Sequence, residues 1–214
     1  MTKLIFVRHG QSVANLKQVF AGQTNPDLTE QGHRQAEALS DWIAENYKID
    51  AIYSSDLIRA YNTARPIADK LKLSITKTEK LREIYSGKWQ GVSYFEIKEN
   101  YPQEYSVWLS DIGNVVCPGG ESFVELAERV KAEILSIAER HSGQTVIITT
   151  HATPIRALMA EYVKGSITLA KDVPWTSNTS VSIAECENGI LKFTLVDYTD
   201  YLSDLKSKFP SGIV

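Results

Sequence analysis

Short β-branched apolar runs alternate with helix-spaced apolar residues along almost all of the 214-residue chain, and two of those runs end in a histidine. A helix that crosses between two strands brings the chain back to its starting edge, so strands joined this way lie parallel. Parallel strands need cover on both faces. The expected fold is therefore α/β, a single-domain three-layer α/β/α arrangement around a mainly parallel sheet. Ile5-Phe6-Val7 stops at Arg8-His9-Gly10, and the run from Gln144 to Thr150 stops at His151. Ligands of open α/β sheets gather beyond the carboxyl ends of strands, which puts both histidines at one functional edge. Gly10 is read as the residue that lets the backbone turn tightly after His9.

Between these runs, Thr29 is placed to cap a helix whose apolar residues Ala36, Leu39, Ile43 and Tyr47 recur at spacings of three and four. Ile49–Ser54 reads as a strand. Ser55 or Asp56 is expected to cap the next helix, whose first turn carries Arg59. Leu73–Thr78 makes a further strand, and Glu83 leads into a glycine-punctuated loop from Ser86 to Gly91. Residues 93–120 read as irregular and aromatic, a lid or insertion. A helix follows from about Ser122 to Arg140, with Phe123, Leu126, Val130, Ile134 and Ile137 along one stripe. Val181–Cys186 and Ile190–Val196 flank Asn188-Gly189, a dipeptide suited to the positive φ angles of a tight hairpin, so an antiparallel edge strand is expected.

A net charge of −3 gives no broad basic surface, which argues against nucleic acid or an anionic membrane as partner. No apolar stretch approaches the length of a membrane span, and the amino end lacks the features of a signal peptide, so a cytoplasmic protein is expected. Cys117 and Cys186 form no Cys-x-x-Cys pair and read as two reduced thiols. With no linker or repeat, residues 1–214 are expected to form one domain. A homodimer is compatible with the sequence. His33 and His141 read as ordinary helix-surface residues.

Taken together, Leu4 to Ser12 with Asn15, Ser54-Ser55-Asp56-Leu57 before Arg59-Ala60, Thr63-Ala64, Glu83 with Gly87, Trp89 and Gly91, Pro118 to Ser122, and Thr150-His151 before Ile155-Arg156 carry a resemblance. The chain resembles the histidine phosphatase superfamily, the phosphoglycerate mutase-like proteins, over nearly its whole length. The resemblance implies a phosphoglycerate mutase-like fold and a phosphatase that hydrolyses small phosphate monoesters through a phosphohistidine, without a metal or other cofactor. It implies that His9 is the nucleophile, that Glu83 gives a proton to the leaving oxygen, and that Arg8, Arg59 and His151 hold the phosphoryl group. It also implies substrate contact at Ser12, Asn15, Ala21, Gly22 and Ala152. The physics agrees: a neutral imidazole nitrogen can attack phosphorus, nearby cations keep the ring neutral, and the arginine fork matches phosphoryl oxygens.

Ala152 stands where the family often has glycine, and Gln11 where glutamate is frequent, which removes a negative charge from the expected rim of the site. The family's glycolytic mutases carry a longer, basic insertion between the acid and the second histidine. Here residues 93–120 hold Lys98 alone against Glu96, Glu99, Glu104 and Asp111, so hydrolysis is favoured over a cofactor-dependent phosphoglycerate mutase. Two alternatives stay open on the residues: a zinc site at the histidines, disfavoured by the arginines, and a non-catalytic phospho-ligand-binding module. The expected partner is a small phosphorylated metabolite. The aromatic residues of 93–120 serve either as a lid that stacks on an apolar leaving group or as core.

Overall fold

The computed structural model describes residues 1–207, so residues 208–214 of the expected single domain lie outside the described residues. Among the described residues, six strands, β1 (Thr2–Arg8), β2 (Ala51–Ser55), β3 (Ile75–Thr78), β4 (Thr145–Thr150), β5 (Val181–Glu187) and β6 (Ile190–Tyr198), form one sheet in the order β3-β2-β4-β1-β5-β6. The pairs β3-β2, β2-β4 and β4-β1 are parallel. β5 runs antiparallel to β1, and β6 antiparallel to β5. The hairpin turns where expected, with Asn188 at φ 50° and Gly189 at φ 77°.

Among the described residues, seven α-helices surround the sheet: α1 (Val13–Lys17), α2 (Glu30–Asn46), α3 (Ile58–Leu71), α4 (Tyr94–Asn100), α5 (Pro102–Ser110), α6 (Phe123–Arg140) and α7 (Ala152–Tyr162). The layers follow from the alternation of side chains along the strands. Ile5, Val7 and Ile147 point into a core with Leu39 and Ile43 of α2 and Ala64 and Ile67 of α3. Leu4, Phe6, Val146 and Ile148 point the other way, against Val130 and Ile134 of α6 and Ile155 and Leu158 of α7. Each large apolar side chain buried this way contributes about 1.5–3 kcal/mol over leaving it exposed. The two expected long helices start at their expected caps: Thr29 Oγ1 accepts from Gly32 N, and Ser122 forms a capping box with Glu125.

Three expectations need correction. Residues 93–120 are mostly helical: Ser93 and Glu96 form a capping box that starts α4, and Pro102 sits in the first turn of α5, where its missing N–H costs nothing. Helices of seven and nine residues are too short for their apolar spacing to register in the sequence. The cap of α3 comes from elsewhere: Ile58 N donates to Asn25 Oδ1 at 2.7 Å, while Asp56 is taken by an ion pair with Arg82. His141 is half-buried and tied down, its Nε2 3.0 Å from the Tyr53 hydroxyl and its Nδ1 2.6 Å from Gln144 Oε1. No helix among the described residues is long and apolar enough to cross a membrane.

Candidate active site

The register of β1 on β4 sets Arg8 opposite Thr150, so the next residues, His9 and His151, leave the sheet side by side. His9 N donates to Thr150 O at 3.0 Å, and the two imidazoles meet edge to face with centroids 5.2 Å apart. His9 Nδ1 lies 2.7 Å from the Gly10 carbonyl, an acceptor, so Nδ1 carries the ring proton and Nε2 of the neutral ring keeps its lone pair. Asn178 Nδ2 donates to the His9 carbonyl at 3.0 Å, and Thr63 Oγ1 accepts from Gly10 N at 3.0 Å. The backbone at His9 is thereby fixed from two sides. Gly10 does not take a positive φ; a Cβ there would stand 2.7 Å from the Gly32 carbonyl oxygen. Glycine is needed at this position because the first turn of α2 packs against it, not because the chain turns.

Arg8 and Arg59 bring positive charge to the same floor. Arg59, in the first turn of α3, is buried and donates through Nη1 to Thr24 O and through Nη2 to Gly22 O, each at 2.8 Å, while its Nε has no partner among the described residues. Arg8 Nη1 donates to Thr176 O. Burial lowers the pKa of both, Arg59 to about 10, so both remain charged at neutral pH.

Glu83 supplies the carboxylate. It pairs with neither Arg82 nor Lys88: Oε1 accepts from Ile84 N at 2.8 Å and Oε2 from Thr153 N, at the start of α7, at 3.4 Å. Its loop is clamped by Arg129, which donates to the carbonyls of Lys80, Arg82 and Glu83 and binds Glu121 through two nitrogens at 2.9 Å each. Glu121 in turn accepts from Tyr85 N at 3.1 Å.

The pocket above this floor is lined by Arg8, His9, Arg59 and Glu83, by Ser12, Asn15, Ala21, Gly22, Ala152 and Thr153, and by an outer wall of Gln18, Val19, Phe20, Tyr94, Trp108 and Trp175. All the expected residues but one therefore reach it. His151 does not line the wall. It is fully buried beside His9, its Nε2 2.9 Å from Ser55 Oγ and its Nδ1 without a partner among the described residues. That buried, unanswered nitrogen is the one atom of His151 suited to a ligand oxygen. Ser12 and Asn15 serve twice, since they also form the capping box of α1. Gln11 misses the rim: its Oε1 accepts from Thr29 Oγ1 at 2.7 Å, against the cap of α2.

Sequence reasoning passed over Thr153, Asn178, Arg129 and Trp175. Thr153 follows the motif histidine by two residues and could have been suspected as a helix-start donor. Asn178 and Trp175 lie far from any motif in sequence, and Arg129, eight residues beyond Glu121, reaches the Glu83 loop only through the fold.

Burial first, then Arg59 and Arg8, holds the His9 pKa well below the usual imidazole range. Burial first, then Arg59, does the same for His151. Both rings are neutral in the folded free protein, whereas the unfolded chain protonates them near pH 6.5. The unfolded state then binds more protons, so stability falls as pH drops below about 6.5. Chemical denaturation in phosphate-free buffer at pH 7.5 and 5.5 checks this. His151→Asn is expected to shrink the acid-induced loss, by on the order of 1 kcal/mol; an unchanged loss contradicts the assignment.

The sequence model of the histidine phosphatase superfamily (branch 1) matches residues 4–199. The chain is 35% identical over 201 residues to phosphoserine phosphatase 1 of Hydrogenobacter thermophilus, covering 91% of this chain and 93% of that protein. It is 35% identical over 185 residues to a metal-independent phosphoserine phosphatase of Arabidopsis thaliana, covering 86% and 76%. Among solved structures, YhfR of Bacillus stearothermophilus superposes with a TM-score of 0.89 at 29% identity, covering 94% of this chain and all of that one.

Proposed function

The chain belongs to the histidine phosphatase superfamily and is a phosphomonoesterase of that type, and we propose that it cleaves small phosphate monoesters through a phosphohistidine formed on His9. The observation that carries this reading is the hydrogen bond from His9 Nδ1 to the Gly10 carbonyl, which leaves the Nε2 lone pair over a floor holding two guanidiniums. Nε2 attacks phosphorus and the bond to the leaving oxygen breaks, with Glu83 giving that oxygen its proton. Arg8, Arg59 and the Nδ1–H of His151 steady the phosphoryl oxygens as charge shifts among them. The phosphorylated ring is cationic, and the Gly10 carbonyl at Nδ1 favours it. Glu83, now a carboxylate, takes a proton from water as the water oxygen bonds to phosphorus and the P–N bond breaks. Inorganic phosphate and neutral His9 result.

The backbone N–H groups of Ile84 and Thr153 aim the Glu83 carboxyl, and Arg129 keeps its loop in place. In this reading the chain works as a single domain, with residues 93–120 as an insertion that walls the pocket. A cytoplasmic setting belongs to it as well, supported by the free, buried thiols of Cys117 and Cys186.

The test is phosphate release from a panel of monophosphate esters in the presence of chelator, run beside isomerisation of 3-phosphoglycerate with a bisphosphate primer. Release that chelator leaves intact, with no isomerisation, is the expected outcome. Isomerisation without net release favours a mutase, and activity lost to chelator contradicts the metal-independent mechanism.

A further inference from the structure

Behind His9 the chain makes a turn that threonine does not favour. Ser180 N donates to Ser177 O at 3.1 Å and closes a turn whose third residue, Thr179, stands at φ 58°. Glycine or asparagine usually fills such a position, because a positive φ crowds Cβ against the backbone and a β-branched side chain crowds it most. A residue strained in this way keeps its conformation only where its surroundings over-determine it, and such residues cluster at active sites.

Thr179 is fully buried, and its N–H, hydroxyl and carbonyl are all engaged. The N–H is shared between Arg8 O at 3.0 Å and His9 O at 3.3 Å, the carbonyls of the two peptides that flank the His9 Cα. The hydroxyl donates to Gln35 Oε1 at 3.2 Å, and the carbonyl accepts from the Tyr201 hydroxyl. Gln35 Oε1 also accepts from Gln11 N at 2.8 Å. That N–H belongs to the same peptide as the Gly10 carbonyl, on which His9 Nδ1 rests. Three successive peptides around His9 are thus oriented from one buried network.

The network is anchored by the last described stretch of the chain. Gln35 Nε2 donates to Leu205 O at 2.7 Å and to Ser207 Oγ at 2.9 Å. Tyr201 stacks on Trp42 of α2, with ring centroids 5.1 Å apart and planes 14° apart. A fully satisfied buried network of this kind is rigid.

Resting on the phosphatase reading, we propose that Thr179 is a positioning residue for His9, held at positive φ by Tyr201 and Gln35, and that residues 200–207 thereby support the phosphoryl-transfer step from outside the pocket. If the turn relaxes to negative φ, the Thr179 N–H swings away from both carbonyls and the imidazole loses its fixed aim at phosphorus. Arg59 hangs from the carbonyls of Gly22 and Thr24, so the grip on phosphate stays.

Tyr201→Phe removes one hydroxyl and keeps the ring on Trp42. With phosphoserine or nitrophenyl phosphate, whichever wild type turns over faster, it is expected to lower kcat about tenfold and to leave KM within about threefold, since a small misplacement of a reacting group is costly in rate. Adding Thr179→Gly is expected to bring kcat back to within about threefold of wild type, because glycine takes a positive φ without a clamp. Each protein is assayed well below its own midpoint of thermal unfolding. An unchanged kcat in Tyr201→Phe overturns the inference and leaves the phosphatase reading standing. A loss that Thr179→Gly does not restore, or one that falls on KM, assigns Tyr201 a general packing role and also overturns it. No phosphate released by wild type from either ester overturns the phosphatase reading and this inference together.

Discussion

Replacing His9 with alanine is expected to lower phosphate release by at least about 10⁴-fold while leaving substrate bound. Among the described residues the imidazole is the one neutral nitrogen base that lines the pocket, flanked by guanidiniums that cannot act as nucleophiles at neutral pH. Removing it takes away the atom that would bond to phosphorus. The two guanidiniums do not depend on it: Arg59 hangs from the carbonyls of Gly22 and Thr24, and Arg8 from that of Thr176. Calorimetric titration of His9→Ala with a substrate is therefore expected to give an affinity within about fivefold of the wild-type KM, a change small on the scale of binding energies. Residual turnover above about 1% of wild type places the nucleophile elsewhere.

Glu83→Gln is expected to cost about 10²–10⁴-fold in kcat, the usual worth of a positioned general acid. Glutamine keeps the shape and one acceptor for the Ile84 or Thr153 N–H, so the loop is expected to stay in place. The effect has a chemical signature. An alkyl alcohol is a poor leaving group without a proton, whereas a nitrophenolate leaves readily, so the loss is expected to be at least tenfold larger on alkyl than on nitrophenyl esters. Steady-state kinetics on both esters decide the matter. A uniform loss means that Glu83 only orients other groups.

What the sequence revealed of the site, and what it hid, divides along a physical line. His9 and His151 were legible because a β-branched run that ends abruptly in a polar residue marks a strand tip, and parallel strands in register bring their tips together. The sheet with its antiparallel hairpin was legible for the same reason, since short β-branched apolar runs and an Asn-Gly turn are local signals. α4 and α5 were hidden because each is too short to show a stripe, and their aromatic residues pack on Phe20, through Tyr94 and Trp108, and on Trp89, through Trp108, rather than against a neighbouring turn. Asn25 as the cap of α3, Asn178 behind His9 and Arg129 behind Glu83 act across 33, 169 and 46 residues of chain. No local pattern encodes such partners. His151 shows a subtler limit, since its residue type and strand position were readable but its withdrawal behind His9, against Ser55, depends on side-chain packing.

The central claim is a covalent bond between His9 and phosphorus. Rapid mixing of wild type with a monophosphate ester, quenched in alkali within milliseconds because phosphohistidine survives base, followed by peptide mass spectrometry, tests it most directly. The mechanism predicts one added phosphoryl group on the peptide that carries His9, on the imidazole, decaying as inorganic phosphate appears. Full turnover with no phosphorylated His9 at any time point, or a phosphoryl group on another residue, contradicts it.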